Sequence, residues 1–252
     1  MTTTNGVELL DVNAMVGRLP AEDVGDGSVA ELCKTMDRFA IGSALVAHSA
    51  AWRHDPATGN RLLLDEIAGE PRLMPCWVGL PDTCGEVAPP AEFVEAATRA
   101  GVRAVRLYPG DHGFRFSGPD VAPLLDAIAR AELPLILDLD QASWADIEQV
   151  AASRPRLQIV VCGLGYRVLR ELAGVLDRAT NVHVDLSYLG SHLGLEWLVE
   201  RFGVHRVLFG TGMPVRDPAD AVSRLLWSEL DDENVRMIGA GTAGRLLGWT
   251  GW

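Results

Sequence analysis

The stretch LPLILDLDQASWADIEQVAASRPRLQIVVC, residues 133–162, decides the fold. Two short apolar runs, LPLILDL (133–139) and LQIVVC (157–162), flank an amphipathic segment, SWADIEQVAASR. The runs are continuously apolar rather than alternating, as strands are when both of their faces are covered. Strand, helix and strand in that order form a parallel crossover unit.

The same rhythm extends in both directions. Upstream are VELLDV (7–12), SALVAH (43–48), LMPCWV (73–78) and VRAVRLY (102–108); downstream are NVHVDLS (181–187) and RVLFG (206–210). Helical segments fall between them. SVAELCKTMDRFA opens on Ser28 as N-cap, and PPAEFVEAATRAG runs from proline to Gly101. PDVAPLLDAIARA, YRVLRELAGVLDRA, LGLEWLVERFG, PADAVSRLLWSEL and a final helix containing TAGRLLGW continue the series, with a weaker segment from Asn60 to Ile67. Eight strands, each followed by a helix, predict one (β/α)8 TIM barrel spanning residues 1–252. A doubly wound sheet is the alternative, but no G-x-G-x-x-G follows the first strand and no phosphate-binding P-loop occurs. The Pro/Gly-rich segment from Pro81 to Pro90 reads as a long loop inside the barrel.

With 252 residues and nearly half of them apolar, the chain can bury a full core. Its formal net charge of -12 repels phosphate backbones and anionic lipid, so no nucleic-acid or membrane partner is expected. No apolar run approaches the ~20 residues of a bilayer span. The start, MTTTNGVELL, has neither the basic nor the apolar region of a secretory signal, so a cytoplasmic location is expected. Cys33, Cys76, Cys84 and Cys162 lie far apart without a C-x-x-C pair and read as reduced thiols. A homodimer is the base-rate expectation for assembly.

Barrel enzymes place their chemistry at the C-terminal ends of the strands. Those ends carry Asp11, Asn13 and Met15 (read as one parity), His48, Trp77, Arg106 and Tyr108, Asp138 and Asp140, Cys162 and Gly163, Asp185 and Ser187, and Thr211 to Met213. His112 follows the fourth strand in LYPGDHGFRF, a glycine-flanked loop.

In this order the segments resemble the type-2 amidohydrolases. LLDVNAMVG is similar to their opening strand, I-D-x-H-x-H; PLILDLD to a fifth strand that ends in histidine; IVVCGLG to a sixth ending H-x-G; and RVLFGTGMP to an eighth reading G-[ST]-D-x-P. NVHVDLS is similar to their seventh strand, and IGAGTAGRLLG to a closing segment with N-A-x-R-L-L. The resemblance implies a barrel acting on a small organic molecule. It departs from the family at the metal positions, where Asn13, Met15, Asp138, Gly163 and Gly212 stand. Glycine offers no ligand and methionine only a soft thioether, so no cofactor is expected, with zinc in an unusual site built from Asp138, His48 and His112 as the alternative. Lactonases of dicarboxylated pyrones resemble this fold and work without a metal, whereas decarboxylases of the family keep theirs.

The expectation is a metal-independent hydrolase or lyase acting on a small carboxylated or cyclic compound. Asp138 breaks an apolar run with a carboxylate and is the expected base, with His112 or His48 as the acid and Arg106 as an anion clamp. Asn13, Trp77, Tyr108, Asp185 and Ser187 are the expected substrate contacts. Competing structural readings are an Arg106–Asp138 ion pair, ordinary hydrogen-bonded histidines, and a non-catalytic barrel that binds a small ligand or a protein, its mouth packed shut by Met15, Met213 and Trp77.

Overall fold

Strands β1 (Leu10–Val16), β2 (Ser43–His48), β3 (Leu73–Val78), β4 (Ala104–Leu107), β5 (Leu135–Asp138), β6 (Ile159–Cys162), β7 (Val182–Asp185) and β8 (Val207–Leu208) form one parallel sheet in sequence order. These are the elements of a computed structural model that describes residues 6–19, 24–165 and 167–249. The sheet closes on itself. Val12 N–H donates to the Phe209 carbonyl at 3.0 Å, Met15 N–H to Met213 at 3.0 Å, and Gly212 N–H to Asn13 at 2.9 Å. The result is the expected (β/α)8 TIM barrel.

Side chains of alternate residues sort into two layers. Leu10, Val12, Leu45, Ala47, Met74, Cys76, Ala104, Ile136, Val160, Cys162 and Leu208 fill the inside of the barrel, with Ala240, Ala243 and Leu247 packed against them. The opposite parity, including Val46, Val105, Leu137, Val161 and Val184, packs under the helices. Two covered faces explain why the strands read as unbroken apolar runs.

The helices are α1 (Val29–Phe39), α2 (Ser49–Arg53), α3 (Pro56–Ile67), α4 (Pro90–Arg99), α5 (Ala122–Arg130), α6 (Trp144–Ser153), α7 (Leu169–Arg178), α8 (Gly194–Phe202), α9 (Pro218–Leu226), α10 (Asp232–Arg236) and α11 (Thr242–Leu246). Ser28 caps α1 as expected, its hydroxyl accepting from Glu31 N–H at 3.2 Å. The weak segment from Asn60 is the inner part of α3, which starts earlier because Asp55 caps it and Pro56 opens it. The expected start of α7 at Tyr166 and the tail from residue 250 lie outside the described residues.

One local irregularity decides what reaches the mouth. Asp11 pairs with Ala44 but Ala14 pairs with Val46, so three steps on β1 match two on β2. This is a β-bulge. Val12 and Asn13 consequently both face inward, and the common parity read for Asp11, Asn13 and Met15 is broken: Asp11 turns into the seam with β8. There it accepts from Thr211 N–H at 3.0 Å and from the Thr211 hydroxyl at 2.5 Å.

Helices α2 and α3 meet backbone to backbone at Gly59, where a Cβ would lie 2.1 Å from Ala51 N and 2.4 Å from Ala51 Cα. Gly59→Ala is therefore expected to cost about 3 kcal/mol, since neither helix can yield without repacking. Urea unfolding measures this, and a midpoint equal to that of the unchanged protein would refute the close approach.

Candidate active site

A cavity of about 300 Å³ opens at the C-terminal end of the barrel. Its floor and walls include Asn13, Arg106, Asp138, Cys162, Gly163 and Ser187; Trp52, Asp140, Gln141, Tyr188 and Arg216 stand around them.

The floor is one hydrogen-bonded chain. The Arg106 side chain is 5% exposed and that of Asp138 26%. Arg106 Nη2 donates to both Asp138 oxygens at 2.5 Å, and Nη1 to Asn13 Oδ1 at 2.9 Å. Burial works against the guanidinium charge, but Asp138 outweighs it and holds Arg106 protonated. Asn13 Nδ2 in turn donates to Asp185 Oδ2 at 3.0 Å and to Ser187 Oγ at 3.1 Å. The Ser187 hydroxyl lies 2.6 Å from Asp185 Oδ2, and Gly163 N–H reaches both Asp185 Oδ1 at 3.2 Å and Ser187 Oγ at 3.3 Å. Burial pushes the Asp185 carboxyl up to about 7; hydrogen bonds from Ser187, Asn13 and Gly163 pull it down, and the charge of Asp138 pushes it up again. The Cys162 thiol is raised well above its ordinary value, first by burial and then by Asp185, and so stays neutral.

The structure thus brings together Asn13, Arg106, Asp138, Asp185 and Ser187, and it realises the ion pair between Arg106 and Asp138. Other expected site residues go elsewhere. His48 caps α2, its Nδ1 accepting from Ala50 N–H at 3.0 Å, and its Nε2 lies 3.4 Å from Glu66 outside the mouth. Trp77 has outward parity and packs against Phe93, lining a separate apolar cavity beneath α3 and α4. It is therefore not a wall of the mouth. Tyr108 is fully buried, sandwiched between the stacked ring of Trp52 at 5.0 Å and the edge of His112 at 5.7 Å. His112 Nε2 faces the Trp52 carbonyl at 2.7 Å, which fixes the proton on that nitrogen, and its Nδ1 is buried without a partner among the described residues. His112 and Tyr108 therefore support Trp52 from behind. Met15 and Met213 border the cavity without closing it.

Rim residues escaped the sequence reading, among them Trp52, Tyr188 and Arg216. Arg216 lies 3.5 Å above the ring of Tyr188, which is 50% exposed and holds φ at 84°, an uncommon angle for a non-glycine residue. The βα loop after β8 was the available signal for Arg216, and nothing in the sequence marks Tyr188.

A divalent metal does not fit this donor set. Among the described residues no three His, Cys, Asp or Glu side chains come together as ligands, and the trio Asp138, His48 and His112 does not converge. Asn13 Oδ1 and both Asp138 oxygens already accept from Arg106, so an ion reaching them would lie against a buried guanidinium. At about 4 Å and an effective dielectric constant of about 20, that repulsion is roughly 8 kcal/mol. Gly163 and Gly212 hold φ at 76° and 75°, so a histidine or aspartate restored there would be strained.

The amidohydrolase family model matches residues 20–249. No curated protein matches the chain. Among solved structures, 5-carboxyvanillate decarboxylase from Novosphingobium aromaticivorans, complexed with manganese and 4-hydroxy-3-methoxy-5-nitrobenzoic acid, superposes with a TM-score of 0.78 at 13% identity, over 98% of this chain and 100% of that one. The 2,6-dihydroxybenzoate decarboxylase from Rhizobium gives 0.75 at 16% identity, over 98% and 99%. A putative 2-pyrone-4,6-dicarboxylic acid hydrolase from Pseudomonas putida gives 0.75 at 19% identity, over 97% and 98%. At these identities the structural likeness speaks for the barrel, and the family match over most of the chain carries the assignment: this protein belongs to the amidohydrolase family.

Proposed function

We propose that the protein is a hydrolase or lyase that acts without a metal on a small carboxylated or cyclic organic compound. The observation that carries this reading is the convergence of Arg106, Asp138, Asn13 and Ser187 on one open cavity at the strand ends. Asp138 is the reachable carboxylate and takes the role of base toward water or substrate. Arg106 fixes that carboxylate and places positive charge beneath it, where negative charge develops on a carbonyl oxygen. Asn13 and Ser187 orient the substrate, and Arg216 offers a cation at the rim. The neighbours that carry substrate-like names, two decarboxylases and a pyrone dicarboxylate hydrolase, suit a carboxylated ring of this size. Neither His48 nor His112 is placed to give a proton to a molecule in the cavity.

One observation favours a second reading, a barrel that binds a small ligand and catalyses nothing: both oxygens of the expected base are engaged by Arg106. Metal analysis combined with turnover separates the readings. Protein grown with zinc, manganese and iron, then dialysed, is expected to hold far less than one metal ion per chain. It is also expected to hydrolyse or decarboxylate some member of a panel of lactones and aromatic carboxylates in the presence of chelator, with Asp138→Asn inactive. Stoichiometric metal with chelator-sensitive turnover would refute metal independence. Ligand binding without turnover of any panel member would favour the second reading.

A further inference from the structure

Ser187 lines the cavity, and Asp185, fully buried, is bonded to three cavity residues, Asn13, Gly163 and Ser187, of which Ser187 alone offers a hydroxyl that can relay a proton. The hydroxyl of Ser187 has one proton and two lone pairs. Asn13 Nδ2 at 3.1 Å and Gly163 N–H at 3.3 Å both donate to it, so its own proton goes to Asp185 Oδ2 at 2.6 Å when that carboxylate is ionised. In this state Ser187 has nothing to offer a ligand. A proton on Asp185 reverses the bond: Oδ2–H donates to Ser187 Oγ, and the hydroxyl proton is freed toward the cavity. Asn13 Nδ2 loses little by this, because Asp185 Oδ2 remains its second acceptor at 3.0 Å.

The surroundings of Asp185 favour the proton. Arg106, on β4, directs its hydrogen bonds to Asn13 and Asp138 and gives none to Asp185. The charge of Asp138, on β5, disfavours a second carboxylate, as does the low polarity around the neutral Cys162 thiol on β6. From β1 comes only the neutral Asn13, with Asp11 turned away into the β8 seam. From the segment just after β8 comes Gly210, whose missing Cβ would meet Asp185 Oδ2 at 2.5 Å. His183, two residues back on β7, is bonded to the His205 carbonyl and Gln158. Burial of Asp185, which holds its carboxyl near 7, puts this exchange within the ordinary working range.

We propose that the mouth takes up its anionic ligand together with one proton, held by Asp185 and presented to the ligand through the Ser187 hydroxyl. This rests on the reading of the mouth as the seat of a carboxylated compound. In a hydrolysis the same pair supplies the acid. The Ser187 O–H bond breaks as its proton bonds to the departing oxygen. Asp185 O–H breaks as its proton restores the serine, and the Asp185 carboxylate then recovers a proton from water. Ser187 is the group that touches the ligand, and Asp185 acts through it.

Benzoate binding followed by calorimetry, in two buffers of different ionisation heat, tests the proposal. Near pH 7 the protein is expected to take up about half a proton per benzoate, and above about pH 7.5 the Kd is expected to weaken by nearly tenfold per pH unit. Asp185→Asn is expected to bind benzoate with no proton uptake and an unchanging Kd between about pH 6 and pH 8.5. Ser187→Ala is expected to lose about tenfold in affinity at about pH 6 and little at about pH 8.5, a pattern that tests the relay even if Asp185→Asn does not fold. Benzoate bound without proton uptake, or uptake retained in Asp185→Asn, overturns the proposal and leaves the mouth standing as an anion site. Absence of benzoate binding at every pH overturns both.

Discussion

Asp138→Ala is expected to lower folding stability by about 3 kcal/mol, and an Arg106→Met, Asp138→Leu double variant to lose much less. The cause is the guanidinium left behind. Arg106 is 5% exposed at its side chain; among the described residues Asp138 is its one anionic hydrogen-bond partner, Asn13 Oδ1 is the other, and Nε has none. Breaking a buried pair on one side costs about 3–5 kcal/mol because a charge stays behind without its counterion. Asp138 is 26% exposed, so water can partly replace it, which moves the expectation to the lower end of that range. Removing both charges abolishes the penalty and leaves apolar surface against Cys76, Tyr108 and Cys162, which surround the pair. Asp138→Asn keeps one acceptor and should fall in between. Urea unfolding of the four proteins decides this, and an Asp138→Ala variant within about 0.5 kcal/mol of the unchanged protein would contradict the counterion role. The same series protects the functional reading. Activity lost in Asp138→Ala alone mixes missing base with a disturbed Arg106, whereas activity lost in a well-folded Asp138→Asn speaks for the base.

The barrel was legible because its strands are covered twice. A run such as LIL or IVVC has no polar face, and the amphipathic segments between runs leave a parallel sheet as the arrangement that buries both layers. Much of the floor was legible too. Arg106, Asp138, Asp185 and Ser187 keep the parity that their strands imply, so counting by twos places them correctly. Counting failed where the backbone stops being regular. The bulge in β1 turns Asp11 away from Asn13, and no residue pattern between Asp11 and Ala14 announces it. Trp77 failed for a simpler reason: Val78, paired with Arg106, holds the inward position, so Trp77 faces the helices. For the histidines the residue type suggested chemistry, while local hydrogen bonding had already used one ring nitrogen of each, His48 Nδ1 on a helix cap and His112 Nε2 on the Trp52 carbonyl. The rim pair Arg216 and Tyr188 belongs to two different loops, and their meeting follows from barrel closure rather than from any sequence spacing.

Stability is expected to respond to pH through buried groups that pull in opposite directions. Asp185 goes from an ordinary value of 3.8 to about 7 on folding, because burial disfavours its charge. The folded state then binds more protons than the unfolded state between those limits, so Asp185 makes stability fall as pH rises from about 4 to about 7, by roughly 4 kcal/mol in total. Asp11, likewise raised by burial, adds to the fall. His183 goes the other way, from 6.5 to about 4, again because burial disfavours the charged form. Its neutral ring, set between the His205 carbonyl and Gln158, requires a proton to leave on folding below 6.5, so His183 makes stability rise with pH over that interval by roughly 3 kcal/mol. The unchanged protein should therefore show a muted profile between about pH 4 and 6.5, then a decline toward pH 7. Asp185→Asn removes its own share of the fall and should tilt the profile upward relative to the unchanged protein, making the variant gain most at about pH 8. His183→Gln removes the rising contribution and should steepen the fall. Chemical denaturation at a series of pH values, with the slopes compared between variants, reads both effects. An Asp185→Asn slope equal to that of the unchanged protein would mean that Asp185 is ionised throughout, and then neither the proton-linked mouth nor the muted profile could stand, because both depend on a carboxyl that burial keeps protonated until neutrality.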